Sequence, residues 1–171
     1  MKFFFSLLIA FFLFIVGSHA NESIRFININ YIVNNSDAGV SLNKIIEEKT
    51  KKIESELKDL VKKIGDKKDK IVSQKNILKK EEFDKLLRDY EKEVKVFNEL
   101  KNRKKKDFDN FRVKSKKKIL DLLNPIITDF LQKNSIKILL QKEKIIFGDD
   151  NLDITEKILK IFNDKHDKIK F

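Results

Sequence analysis

Few residues of this chain have the types and spacing that catalysis or metal binding requires. There is no cysteine, and the two histidines, His19 and His166, lie far apart in the sequence. His166 lacks neighbouring residues that would complete a metal site or orient it as a general base. The four glycines are scattered, so no glycine-rich phosphate loop is present. The sequence therefore predicts neither an enzyme nor a protein that carries a cofactor.

Three aspartates close together are the remaining candidates for a metal site. Asp149, Asp150 and Asp153 could suggest Ca²⁺, but the twelve-residue loop and its closing glutamate are missing. Carboxylates at such spacing are typical of a turn that precedes a helix, because they favour the positive end of the helix. We therefore expect a helix cap at Asp153 or Thr155, and no metal.

The positive charge is concentrated in one part of the chain. Residues 41–120 contain 27 Lys and Arg against 16 Asp and Glu, a net charge of +11, whereas the rest after residue 20 has 10 against 11. Such a face is either merely solvated or able to attract anionic partners at long range. The lysines that we expect to attract acidic polypeptides and anionic lipid or lipopolysaccharide surfaces are Lys62, Lys63, Lys67, Lys68, Lys79, Lys80, Lys101, Lys104, Lys105 and Lys106.

These lysines lie on two predicted long helices within residues 41–120. Apolar residues recur in steps of three and four from Ile53 to Leu78 and again from Phe83 to Phe111, which is the 3.5-residue repeat of paired helices. The five-residue step between Leu78 and Phe83 breaks the phase. We therefore predict an antiparallel hairpin that begins at the cap Ser41, with its tip near residues 73–82 and arms on the order of 60 Å long.

The apolar stripe of this hairpin is narrow and has polar interruptions. Lys67, Gln74, Lys101 and Lys104 fall on it, so we expect the arms to be weakly paired and to flex. The phenylalanines of the stripe are expected to pack between the helices. Apolar residues off the stripe are better candidates for contact with a bound protein, and they are Ile77, Leu86, Val96 and Val113.

The two ends of the chain predict a small body of α+β class at the base of the hairpin. Strands are expected at 24–30, 136–140 and 145–147, the last two as a β-hairpin, followed by a final helix. Near Pro125 the second arm either bends or ends and restarts with Asn124 as cap. Three strands and one helix form a small core, so we expect residues 21–40 and 121–171 to build a β-rich body that self-associates. Its expected residues are Ile24, Phe26, Ile27, Ile29, Ile136, Ile138, Leu140, Ile145, Phe147, Ile154 and Ile158.

The first twenty residues have the pattern of a secretory signal peptide. Lys2 precedes an apolar run from Phe3 to Val16, and Ser18 and Ala20 supply small residues for cleavage after Ala20. An uncleaved anchor is the alternative, but spanning a bilayer takes about 20 apolar residues. We expect residues 1–20 to be removed and the protein to be secreted.

Two short motifs resemble those of the Skp (OmpH-like) periplasmic chaperones of Gram-negative bacteria. Residues 34–39 fit the pattern N-x-S-x-A-G after a strand, and residues 150–155 are close to D-x-x-x-D-I-T before the last helix. Leu123-Asn124-Pro125-Ile126 is similar to a proline-containing segment of that family. The order of elements agrees over the whole chain after residue 20.

This resemblance implies a homotrimer in which helical arms surround a cavity. It also implies an ATP-independent holdase that binds unfolded outer-membrane β-barrel precursors in the periplasm. A basic nucleic-acid-binding protein is one alternative, given the pI of about 9.6, but a signal peptide argues against it, and we expect no nucleic acid. A passive coiled-coil spacer of the cell envelope is the other.

Overall fold

The computed structural model describes residues 24–166 and 169–171, so the predicted signal segment 1–20 lies outside the described residues. The fold is α+β and consists mainly of a long helical hairpin on a small body, as predicted. Its elements are β1 (Ile24–Ile27), α1 (Ile29–Asn35), α2 (Asp37–Gln74), α3 (Lys80–Lys133), β2 (Ile138–Gln141) and α4 (Thr155–Lys165). We call α2 and α3 the hairpin, and β1, α1, β2, α4 and the C-terminal part of α3 the body.

The first helix of the hairpin begins earlier than predicted. The expected cap at Ser41 is wrong, because α2 begins at Asp37 and the buried Ser36 caps it by accepting a hydrogen bond from the Gly39 amide at 3.1 Å. The Ser36 amide also donates to the Ile32 carbonyl at 2.9 Å, which ends α1. One residue therefore ends one helix and starts the next.

Gly39 is required at this junction for steric reasons. A Cβ atom on Gly39 would lie 2.0 Å from the carbonyl oxygen of Val33, which is far closer than any real contact. The neighbouring Ala38 is completely buried. The small residues of the motif therefore allow α1 and α2 to approach each other closely.

At the other end of the hairpin, the chain reverses over residues 75–79, inside the segment 73–82. The Lys79 amide donates to the Glu82 carboxylate at 3.4 Å, which occupies one backbone donor at the start of α3. From there α3 continues through Pro125 as one helix, so the restart at Asn124 does not occur. Proline removes one backbone hydrogen bond, but Leu123 and Ile126 on either side of it are buried in the body, which holds this segment helical.

The sheet is smaller than predicted, with two parallel strands rather than three. β1 pairs with β2 from Ile24 opposite Ile138 to Ile27 opposite Gln141. The predicted strand at 145–147, and with it the β-hairpin, does not form, because residues 142–144 make a tight 3-10 turn and no strand of the described chain lies beside 145–147. Ile29 belongs to α1, and Ile136 lies in the turn after α3.

The body encloses one hydrophobic core beneath the sheet. Helices α1 and α4, the start of α2 and the end of α3 all contribute to it. From the last helix and its cap, Ile154, Ile158 and Phe162 are buried, and Leu159 packs against them. The core residues are Ile27, Ile32, Val33, Ala38, Leu42, Ile119, Leu123, Ile126, Ile127, Ile154, Ile158 and Phe162.

A network around Asp153 fastens β1 to the last helix. The Ile154 amide donates to the Phe26 carbonyl at 3.0 Å, and the Asn28 amide donates to the Thr155 hydroxyl at 2.9 Å. Burial would raise the pKa of the Asp153 carboxyl, but hydrogen bonds from Lys142 and Thr155 outweigh it and hold this pKa below its ordinary value. The predicted cap at Asp153 or Thr155 is off by one residue, because the cap position of α4 is Ile154, while the Asp153 carboxylate accepts a hydrogen bond from the Thr155 amide at 2.9 Å in the first turn.

The two glycines of α2 should respond oppositely to replacement by alanine. Gly39→Ala forces a Cβ atom onto the Val33 carbonyl, and we expect it to lower the free energy of unfolding by about 3 kcal/mol. Gly65→Ala is the control, because a Cβ there meets nothing within 4 Å, and it should raise stability by about 1 kcal/mol. Urea unfolding followed by circular dichroism measures both. Equal effects would contradict the close approach at Gly39.

Candidate binding surfaces of the hairpin and the body

The two helices of the hairpin are joined by ion pairs as well as by apolar packing. Lys104 of α3 binds Glu56 of α2, and Lys67 of α2 binds Glu93 of α3. The Lys49 ammonium lies 4.7 Å from the centre of the Phe111 ring. On α2 the paired residues Lys49, Glu56 and Lys67 are seven and then eleven residues apart. Their partners on α3 have the same spacing in the reverse direction of the sequence, so the helices are antiparallel and keep one register.

Two of the predicted lysines therefore have a structural partner. The side chains of Lys67 and Lys104 are only 31% and 29% exposed. The hydrogen bond from Lys104 lowers the pKa of the Glu56 carboxyl, with the positive charge of Lys104 adding to it. Four polar residues were expected to interrupt the stripe. Two of them, Lys67 and Lys104, link the arms through ion pairs, and the other two, Gln74 and Lys101, are exposed.

The other predicted lysines are exposed and spread along the hairpin. They do not form a single cluster, because they occur both near the tip and towards the middle of α3. The members of this set are Lys62, Lys63, Lys68, Lys79, Lys80, Lys101, Lys105 and Lys106.

Three of the four apolar candidates project into solvent. Ile77, Val96 and Val113 are 79%, 62% and 67% exposed. Leu86 is instead partly buried and lines a cavity with Ile71.

Sequence reasoning also missed exposed apolar residues on α2. Val61 and Val72 are 55% and 64% exposed. Both fall outside the stripe that includes Leu57, Leu60 and Ile64, so helical phase alone could have identified them.

Two of the grooves between the helices have a largely apolar floor. The first, of about 460 Å³, has a floor of Ile53, Leu57 and Phe108 with Lys101 and Lys105 beside it. The second, of about 320 Å³, lies nearer the tip, and its lining residues are Leu60, Lys63, Ile64, Lys92, Glu93, Val96, Phe97 and Leu100. Either groove could accept an apolar side chain of an extended polypeptide, with lysines close enough to meet a neighbouring carboxylate.

One face of the body sheet is apolar and open except at Phe26, which the loop after β2 covers. The parallel register places Ile24, Ile138 and Leu140 on the same face, where they are 43%, 48% and 43% exposed. Next to the sheet, the side chains of Ile146 and Phe147 are fully solvent-accessible. This open apolar face is a candidate contact surface for another protein chain.

The other predicted body residues lie beneath the surface or at its margin. Phe26, Ile27, Ile154 and Ile158 are buried inside the chain's own core or under the loop that follows β2. The partly buried members of the set are Ile29, Ile136 and Ile145.

Two kinds of feature are absent from the described part of the chain. None of their helices combines the length and the apolar character needed to cross a bilayer. Within residues 24–166 and 169–171, no three His, Cys, Asp or Glu side chains converge as a metal site would need.

Comparison with known proteins connects this geometry to one family. The family model described as Outer membrane protein (OmpH-like) matches residues 23–162. A solved structure of an OmpH-like protein from Caulobacter crescentus, proposed to be an outer membrane chaperone, superimposes with a TM-score of 0.79 at 13% identity. The superposition covers 88% of this chain and 89% of that one, and it shows a shared fold. No curated protein matches the sequence.

Exchanging the charges of one inter-arm pair should show that it contributes to hairpin stability. Glu56→Lys or Lys104→Glu alone places like charges together, and each should lower the free energy of unfolding by about 1 kcal/mol or less, since the pair is partly exposed. The double exchange should recover most of that loss in urea unfolding.

A matched control is the exchange of Glu47 and Lys51, which pair within α2. That exchange should leave the contact between the arms unchanged. A double exchange of Glu56 and Lys104 that is as unstable as the two single changes combined would contradict a favourable contact between them.

Proposed function

The chain belongs to the OmpH-like family, and from this premise we propose that it is an ATP-independent holdase chaperone for unfolded outer-membrane β-barrel precursors. In this proposal the hairpin binds a precursor in a cavity between the arms of several copies and keeps it soluble until delivery to the outer membrane. The observation that carries the proposal is the exposure of apolar residues, such as Val61 and Val96, along the part of the hairpin that lies away from the core of the body.

The chemistry of the two hairpin grooves fits unfolded clients. An unfolded polypeptide presents apolar side chains that a folded protein would bury, and the grooves offer apolar floors to receive them. Exposed lysines such as Lys101 and Lys105 increase the rate at which acidic segments arrive. Contacts of this kind are non-directional, so one surface serves many sequences.

Self-association is supported by the open apolar face of the body. A two-stranded sheet is marginal by itself, and its unpaired edges favour pairing with another chain. A contact between the bodies of two copies would bury the exposed apolar side chains of Ile24, Ile138, Leu140 and Phe147. We propose a homotrimer in which the segment 145–147, rich in β-formers but without a strand partner, packs against a neighbouring copy.

The proposed location is the periplasm, because residues 1–20 have the composition of a cleavable signal peptide ending near Ala20. Removal of this segment leaves a chain that begins just before β1. An anionic lipid or lipopolysaccharide surface is a further proposed partner of the exposed lysines.

Suppression of aggregation tests the holdase activity. A urea-unfolded outer-membrane β-barrel protein, diluted into buffer, should scatter less light in the presence of the processed chain. The variant Val61→Gln/Val96→Gln should bind this client about tenfold more weakly, because half-burial of each valine contributes roughly 0.7 kcal/mol.

The matched control is Asn98→Gln/Asn110→Gln, which changes two exposed polar residues of α3 and should act like the wild type. Wild-type protein that leaves aggregation unchanged would contradict the holdase proposal and favour a passive spacer.

The mass of the native assembly tests self-association. Analytical ultracentrifugation of the processed chain should give three times the mass of one chain. Ile138→Asp/Leu140→Asp places charges on the open face of the sheet and should yield monomers, whereas Ile77→Asp at the hairpin tip should remain trimeric. A monomeric wild type would remove the cavity from the proposal.

A further inference from the structure

Residues 169–171 lie against the base of the hairpin. The side chains of Ile169 and Phe171 are partly buried and pack against the core of the body. Between them, the Lys170 carbonyl accepts a hydrogen bond from the Lys118 ammonium of α3 at 2.6 Å. We call residues 169–171 the strap, and this strap contacts both the core and the second helix of the hairpin.

The helix that precedes the strap contacts the first helix of the hairpin. In the last turn of α4, the Asn163 side chain accepts a hydrogen bond at 3.1 Å from the amide of Asp37, which is the first residue of α2. Farther along the chain, Lys170 meets Lys118 on α3. The chain after Phe162 therefore contacts both helices close to where they leave the body.

The point of attachment on α3 lies at the edge of the core. Of the core residues in the hairpin, Leu42 of α2 and Ile119 of α3 are the ones nearest the tip. Lys118 directly precedes Ile119, but its side chain is exposed. The strap is thus attached at the boundary between the part of the hairpin that the core holds and the part that projects from it.

Lys118 differs from the neighbouring lysine in the use of its charge. Lys117 pairs with Asp121 one turn away on α3, at 2.7 Å. The residues one turn away from Lys118 are Lys114 and Leu122, so no carboxylate lies at that spacing. The Lys118 ammonium therefore joins two distant segments of the chain, whereas the Lys117 pair lies within one helix.

The strap is attached weakly enough to be released. Ile169 and Phe171 are only partly buried, and water competes for the exposed hydrogen bond of Lys118. The strap belongs to no helix or strand, so regular backbone hydrogen bonds do not hold it. Segments with few buried contacts open locally while the rest of a protein stays folded.

We propose that the strap is a releasable restraint on the direction of the hairpin. The docked strap ties α3 to the end of α4 at the edge of the core and holds the hairpin at one angle to the body. Release leaves the core residues as the only fixed end, so the hairpin swings through a wider range. The proposal goes beyond the chaperone activity, because it involves no client and concerns a segment after residue 162, where the match to the family ends.

A spin label on the strap tests whether it is released. The chain has no cysteine, so Lys170→Cys supplies a single labelling site, and the exposed Lys170 side chain takes no part in the contact that its carbonyl makes. The electron paramagnetic resonance spectrum of the labelled processed protein should contain a slow and a fast component. Lys118→Met should raise the ratio of fast to slow about threefold, because it removes the hydrogen-bond donor. The matched control Lys117→Met should leave this ratio unchanged.

Distances between the hairpin and the body test whether the strap restrains the direction. Spin labels on Asn98→Cys of α3 and Lys160→Cys of α4 occupy exposed positions, and Asn98 lies on the order of 30 Å beyond Lys118 along the helix. Dilution with unlabelled protein limits the measured distances to those within one chain. Ile169→Ser/Phe171→Ser should about double the width of the distance distribution, because further directions become populated. Lys170→Gln, which leaves the carbonyl in place, should not change it.

Three results would overturn the proposal. A label on residue 170 with one component only would show that the strap does not exchange between docked and released states. Equal ratios in Lys118→Met and Lys117→Met would exclude the contact with Lys118 as its attachment. A distribution that stays narrow without the two apolar side chains would exclude the restraint. If that double variant fails to fold by circular dichroism, Lys118→Met replaces it, because it changes only an exposed side chain. Neither measurement depends on holdase activity.

Discussion

The contact between β1 and the start of α4 determines where the hairpin can project. A backbone hydrogen bond joins Ile154 to Phe26, and the pairing of β1 with β2 brings together segments separated by the whole hairpin. The intervening residues must therefore leave the body and return to it. Two antiparallel helices are the simplest such path. Ser36 and Gly39 allow α2 to begin only one residue after the end of α1.

The two helices of the hairpin are held together by a narrow apolar contact and by ion pairs. Each helix offers a narrow stripe to the other, and the ion pairs of Lys67 and Lys104 occupy positions where apolar residues would pack. Partly exposed pairs contribute little free energy, but a change of register would leave each charge without its partner. Such pairs therefore favour one alignment of the two helices, and apolar residues such as Val96 remain exposed beside them.

Local pattern predicted the long helices, because a 3.5-residue repeat sustained over several turns is characteristic of helices that pack side by side. The local pattern did not predict the caps, strands and ion pairs that depend on residues elsewhere in the chain. Ser36 acts as a cap because α1 ends against it, which no window around Ser41 reveals. The β-forming run at 145–147 lacks a neighbouring strand, so propensity alone was misleading. Lys67 and Lys104 interrupt the apolar stripe in the sequence, and only the register of the two helices places Glu93 and Glu56 opposite them.

The uninterrupted course of α3 has a mechanical consequence. This one helix spans about 80 Å at 1.5 Å per residue, with Ile119, Leu123 and Ile127 clamped in the core at one end and Lys80 at the far tip. It is a lever with a short fixed end and a long free end. A sideways load at the tip thus becomes a torque on the residues that surround Pro125.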